Sequence, residues 1–176
     1  QMQRMFAYLR ESEKMFFDAI DFCHSYKDVN GKPVNTSQQM DANEFFNMLF
    51  DKLENQLKGL PQEKTLKDVF GGALCNQLIP ECGHRRETDE PFYTIGVEVK
   101  DKKNLQESFE LFVEGEMLTG DNKYFCETCQ KPVDTLKRCV VKNLPPILTL
   151  HLKRFEFDYE KMRYEKLNTG FVFPMT

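Results

Sequence analysis

Near Gly59 and Pro61 the apolar residues of this chain change their spacing, and the two sides of that break cannot fold by the same rule. Before it, Ala42, Phe45, Phe46, Leu49, Phe50, Leu53 and Leu57 recur at helical spacing. They predict a helix that begins after Asn35-Thr36-Ser37 and stops at Gly59 and Pro61. Met2, Met5, Phe6 and Leu9 fall at i, i+3, i+4 and i+7 and predict a short amphipathic helix. Between the two, Met15 to Tyr26 is aromatic without a clean period and reads as a packed loop with at most one short helix. Val29-Asn30-Gly31-Lys32-Pro33 then reads as a turn. After the break come short runs rich in β-branched and aromatic residues: Val69-Phe70, Ala73-Leu74, Phe92 to Val99, Phe112-Val113, Tyr124-Phe125, Val140-Val141 and Ile147 to Phe155. They imply several antiparallel strands. Asn104 stands three positions before Glu107, and Leu105, Phe109 and Phe112 follow, so a further helix should start at Asn104. Gly120-Asp121-Asn122 reads as a turn. The fold class expected is α+β.

Composition removes several function classes. A chain of 176 residues with 40% apolar content can bury the core of one ordinary domain or two small lobes. No stretch approaches the ~20 apolar residues of a membrane span, so no membrane partner is expected. With 28 acidic and 24 basic residues the formal charge is −4, which gives a phosphate backbone no general attraction and argues against nucleic acid. The six cysteines are too few for a disulfide scaffold, and no signal peptide precedes them. Reduced thiols and a cytoplasmic or nuclear location are expected. The chain opens on Gln1 and closes on Thr176 just after a strand-like run, and it reads as a piece of something longer.

Some of those thiols have metal-ligand spacing. Cys126-Glu127-Thr128-Cys129 has the two-residue gap that lets a tight turn aim both sulfurs at one tetrahedral ion. A redox pair would sit at a helix start in a βαβ unit, whereas strands surround this one. A structural Zn2+ needs two more ligands, and Cys82-Gly83-His84, 44 positions earlier, is the comparable cluster. A strict second CxxC would place cysteine where Ile79 stands, so the fourth ligand is His84, Cys75 or a solvent molecule. The candidate set is Cys82, His84, Cys126 and Cys129; the competing reading is a metal-free knuckle held by packing and hydrogen bonds.

No nucleophile and base pair is evident. Cys23-His24 are neighbours, and neighbours usually point to different sides of the backbone. His151 alternates with Leu150 and Leu152 in a strand and reads as structural, while Cys75 and Cys139 read as small buried side chains. Asp41 and Glu44 open the long helix three residues apart. As N-cap and N3 residues they satisfy free backbone amides and complement the helix dipole. Facing a cleft, the same carboxylates could grip an arginine-bearing peptide by bidentate hydrogen bonds.

The block Gln39-Met40-Asp41-Ala42-Asn43-Glu44-Phe45-Phe46 resembles the Q-x-D-A-x-E-F block of the ubiquitin-specific proteases, the papain-like cysteine deubiquitinases. Leu144-Pro145-Pro146-Ile147-Leu148-Thr149-Leu150-His151-Leu152-Lys153-Arg154-Phe155 resembles their L-P-x-x-L-x-x-x-L-K-R-F block. Between them, Cys82 and the Cys126 to Cys129 pair occupy the places of that family's finger zinc knuckles. The resemblance spans nearly the whole chain and is greatest to the very large deubiquitinases with a short catalytic core.

The resemblance implies a right-hand architecture with a helical thumb remainder over 1–68. The fingers would fall over 69–91 and 117–143, and an antiparallel palm sheet over 92–116 and 144–176. It implies that Asp41 and Glu44 line the channel for the extended ubiquitin tail, whose arginines they match in charge, and that Phe155 flanks it. The partners would be ubiquitin and ubiquitinated proteins. The family's nucleophilic Cys box and general-base His box are not among these residues, so no catalytic residue is assigned here. The implied activity is hydrolysis of the bond after ubiquitin's C-terminal glycine by a cysteine thiolate in the parent protein, with this segment supplying recognition. The alternative is a non-catalytic ubiquitin-binding or scaffold module with a structural zinc.

Overall fold

The computed structural model describes residues 1–28, 31–37 and 41–174. The expected turn residues Val29 and Asn30, and the motif residues Gln39 and Met40, lie outside the described residues. The chain forms two compact units, Gln1–Met48 and Leu49–Thr176.

In the first unit, α1 (Met2–Glu11) and α2 (Ile20–Ser25) precede α3 (Ala42–Leu57), which continues into the second unit. Helix α1 forms where predicted, but Phe6 and Leu9 of its apolar stripe are exposed. The stretch before α2 is not packed as expected, because Met15 and Phe16 face solvent at 99% and 78% exposure. Among the described residues of this unit Tyr26 is buried, its ring tilted against that of Phe45 with centroids 5.2 Å apart.

In the second unit, α3 is followed by α4 (Thr65–Phe70), β1 (Gly72–Pro80), β2 (Arg86–Phe92), β3 (Thr94–Glu98) and α5 (Leu105–Glu114). Then come β4 (Glu116–Leu118), β5 (Tyr124–Cys126), β6 (Lys131–Val133), β7 (Thr135–Asn143), β8 (Thr149–Lys153), β9 (Phe155–Asp158) and β10 (Arg163–Lys166). One four-stranded antiparallel sheet has the order β2-β1-β7-β4, and β5-β6 and β9-β10 are antiparallel hairpins. Strands β3 and β8 pair in parallel, from Thr94↔Thr149 to Glu98↔Lys153, which differs from the all-antiparallel expectation. The chain between them includes α5 and the sheet strands, long enough for the return crossover that parallel pairing requires.

The core lies under β3. Ile95, Val97 and Val99 alternate inward and are almost fully buried, and Ser108 of α5 seals the layer by donating its hydroxyl to the Glu98 carbonyl at 2.6 Å. Helix α5 starts as predicted: Asn104 accepts from the Glu107 N–H at 2.9 Å, and the Glu107 carboxylate accepts from the Lys103 N–H at 2.9 Å. Two apolar runs turn out not to be strands. Val69-Phe70 closes α4, where Phe70 meets Phe50 ring to ring at 5.3 Å, and Phe112-Val113 belongs to α5. The run from Ile147 to Phe155 is not one strand either. It breaks at Arg154 into β8 and β9, which have different partners.

Candidate functional site: a four-donor cluster and an acidic helix start

Strand β1 runs out at Pro80, and the turn after it carries Cys82 and His84 around Gly83. Gly83 has φ +82, a left-handed conformation that glycine takes without strain and that reverses the chain tightly enough for residues two apart to converge. Across from it, Cys126 ends β5 and Cys129 stands in the hairpin turn. That turn is closed by the Gln130 N–H donating to the Cys126 carbonyl at 2.8 Å, with Gln130 itself at φ 55.

The donor atoms of Cys82, His84, Cys126 and Cys129 all lie within 4.8 Å of one another. His84 Nδ1 is 3.7 Å from Cys126 Sγ and 3.2 Å from Cys129 Sγ. A tetrahedral zinc with its usual bond lengths sets its ligands about 3.5–3.8 Å apart, so three sulfurs and one nitrogen gathered this closely could hold a metal ion. Cys75 is outside the cluster, buried in β1 with its thiol pushed up chiefly by desolvation. The electrostatics suit a cation. The backbone N–H of Cys129 leads in pulling the Cys126 thiol down to about 6, with Cys82 and His84 helping, while burial and the neighbouring thiols push Cys129 up to about 11. One thiolate forms readily here, and further charge needs a positive ion.

The second feature is the start of α3. Asp41 Oδ1 accepts from the N–H groups of Asn43 and Glu44 at 2.8 and 2.9 Å, and the Asp41 carbonyl accepts the first helical bond from Phe45 at 3.0 Å. Asp41 is therefore the N-cap and Glu44 the N3 residue, both exposed. Asp41 also lines a cavity of about 260 Å³, together with Tyr26, Asp28, Val34, Phe45 and Met48. Sequence reasoning missed this cavity, since its walls are apolar residues that pattern alone assigns to packing.

The third predicted residue, Phe155, opens β9 and is 52% exposed. The Lys166 ammonium, cross-strand on β10, sits 6.0 Å from the ring centroid. The remaining candidates are placed simply. Cys23 and His24 are consecutive on α2, and His151 is half-buried in β8 opposite Gly96.

The sequence profile of the family described as "Ubiquitin carboxyl-terminal hydrolase" matches residues 1–176. The chain belongs to that family. It is 41% identical over 174 residues to ubiquitin carboxyl-terminal hydrolase 9X of Mus musculus, covering 98% of this chain and 7% of the relative. It is 41% identical over 176 residues to ubiquitin carboxyl-terminal hydrolase puf of Drosophila melanogaster, and 39% identical to ubiquitin carboxyl-terminal hydrolase 34 of Homo sapiens. These alignments cover 99% of this chain and 4% and 5% of the relatives. The chain thus spans a small fraction of the curated relatives it matches. A solved structure, that of the SAGA Ubp8/Sgf11/Sus1/Sgf73 DUB module bound to ubiquitin aldehyde, superposes with a TM-score of 0.66 at 29% identity, over 77% of this chain and 31% of that one. Membership agrees with the ubiquitin-specific protease resemblance of the two sequence blocks. Among the described residues, no helix is long and apolar enough to cross a membrane.

Proposed function

We propose that the protein carrying this chain is a thiol-dependent deubiquitinase that cleaves after ubiquitin's C-terminal glycine, and that this segment recognises ubiquitin. The observation that carries the reading is similarity to ubiquitin carboxyl-terminal hydrolases along all 176 residues, supported by the likeness to a module bound to ubiquitin aldehyde. Its partners are ubiquitin and ubiquitinated proteins, met in the cytoplasm or nucleus, where free thiols stay reduced.

In this reading Asp41 and Glu44 carry two roles. One oxygen of Asp41 holds the helix start, and the exposed carboxylate charge of both residues pairs with the arginines of the tail. The apolar cavity beside Asp41 suits a non-polar side chain that alternates with basic ones in an extended peptide. Exposed Phe155 gives the tail a flat apolar contact. Residues 1–68 form the thumb remainder, 69–91 and 117–143 the fingers, and 92–116 with 144–176 the palm. Cys82, His84, Cys126 and Cys129 hold a structural zinc, which when bound supplies a cross-link between the β1–β2 turn and the β5–β6 hairpin. The four residues fix the finger tips that hold ubiquitin's globular body.

Incubating the full-length protein with ubiquitin bearing a C-terminal fluorogenic amide tests the proposal. Hydrolysis that thiol alkylation abolishes is expected. Saturable ubiquitin binding without hydrolysis would support the non-catalytic module instead, and absence of both would refute ubiquitin recognition.

A further inference from the structure

Arg154 occupies a corner. Up to Lys153 the chain runs in β8 beside β3, and from Phe155 it runs in β9 beside β10, so the strand changes partner across this one residue. The Arg154 N–H donates to the Leu152 carbonyl at 2.8 Å, a three-residue turn that makes the bend. Its carbonyl accepts from the Leu167 N–H at 2.7 Å, and its guanidinium Nη1 donates to the carbonyls of Leu167 and Thr169, each at 3.0 Å. One residue therefore ties the root of the hairpin to the chain that leaves it. Beyond Thr169 that chain is anchored in turn, because Val172 exchanges backbone hydrogen bonds with Lys103 and Leu105 at the start of α5.

Phe157 packs against Tyr159 and Tyr164 within the hairpin, but the hairpin's attachment to the rest of the unit depends on this tie. A two-stranded ribbon is marginal by itself. Its ion pair from Lys100 to Glu156 lies at the surface, where such pairs contribute little. Three charge-assisted or backbone hydrogen bonds at a half-buried corner are the stronger restraint. Phe155 is the first residue past the corner, so the direction of its ring is set by the angle at which β9 leaves.

We infer that Arg154 is a positioning residue for ubiquitin-tail binding: its hydrogen bonds to Leu167 and Thr169 fix the departure angle of β9 and so hold the Phe155 ring where the tail meets it. The inference rests on the reading above that Phe155 contacts the tail. Lysine cannot substitute fully, because its ammonium ends one bond short of Nη1 and lacks the planar guanidinium.

The test is a double-mutant cycle in the full-length protein, reading kcat, KM and Tm with ubiquitin carrying a C-terminal fluorogenic amide. Phe155→Ala should raise KM about tenfold. Arg154→Ala should raise KM about fivefold with kcat within about twofold of the parent, and the double variant should be no worse than Phe155→Ala alone. Arg154→Lys, which keeps the charge and guards against loss of folding, should raise KM about threefold and lose that effect when Phe155 is also alanine. If Phe155→Ala raises KM but the Arg154 variants add their full effect on top, Arg154 does not act through Phe155 and the inference fails alone. If Phe155→Ala leaves KM unchanged, the tail contact itself is wrong and the inference falls with it.

Discussion

Stripping a metal ion from the four-donor cluster should loosen the β5–β6 hairpin and leave the β2-β1-β7-β4 sheet intact. Cys82 and Cys126 are 44 residues apart in sequence, but strands β1 and β7 already close most of that loop through the Pro80↔Thr135 pair. The ring that the four donors add is therefore only about 11 residues around, which in the chain-entropy treatment of a cross-link corresponds to roughly 3 kcal/mol. Apart from these donors, the β5–β6 hairpin is held by the burial of Cys126 and Val133, by the Lys123–Asp134 ion pair at its base and by a short ladder. Its ladder has three residue pairs, Tyr124↔Val133, Phe125↔Pro132 and Cys126↔Lys131, and Pro132 has no N–H to give. In hydrogen exchange on the metal-loaded protein, a chelator should speed exchange of the Gln130 N–H, now bonded to the Cys126 carbonyl, about a hundredfold. Amides between β1 and β7, paired from Ala73 to Pro80, should change little. Metal analysis should give one zinc per chain beforehand. Unchanged exchange at Gln130, or equal acceleration in β1 and β7, would refute the cross-link argument.

Further outcomes follow from single residues. Gly115 closes α5 at φ +82 and ψ −177, a region nearly reserved for glycine, and an added Cβ would lie 2.6 Å from Arg138 Cβ and 2.7 Å from the Lys137 carbonyl. Gly115→Ala should lower unfolding free energy by about 2–4 kcal/mol in denaturant melts, and a loss below about 0.5 kcal/mol would mean the turn is not held this way. Burial, with the Tyr93 O–H donating a hydrogen bond to the Glu54 carboxylate, pushes the Tyr93 hydroxyl up to about 12. A raised acid contributes stability below its unfolded value near 10 and loses it as pH rises toward 12, so alkaline unfolding should begin in that window and Tyr93→Phe should blunt it. An ultraviolet titration in which every tyrosine ionises near pH 10 would contradict this.

Where a pattern is long and local, the sequence is legible. The seven apolar positions of α3 and the Asn104–Glu107 capping pair name their helices because both signals arise within one or two turns. Val69 and Phe70 mislead because β-branched and aromatic residues favour strands only on average, and here ring packing on Phe50 outweighs propensity. Strand β2, Arg-Glu-Thr-Asp-Glu-Pro-Phe, shows no alternation because all but its last residue are exposed; its register comes from polar pairs such as Asn76–Glu90 and Gln77–Glu87. The corner at Arg154 depends on carbonyls 13 and 15 residues away, beyond any local window. In the four-donor cluster, spacing supplies three sulfurs and leaves the fourth donor open; the turn at Gly83 brings in His84 rather than Cys75.

Capping and tail binding at the start of α3 can be separated by substituting amides for carboxylates. Asparagine caps a helix as well as aspartate does, so Asp41→Asn combined with Glu44→Gln should cost only the lost charge–dipole interaction, about 1 kcal/mol of stability. The same pair removes both negative charges and should weaken ubiquitin binding by the full-length protein about tenfold, with the loss shrinking at high salt. Unaltered affinity in the folded variant would contradict the claim that these carboxylates hold the basic tail.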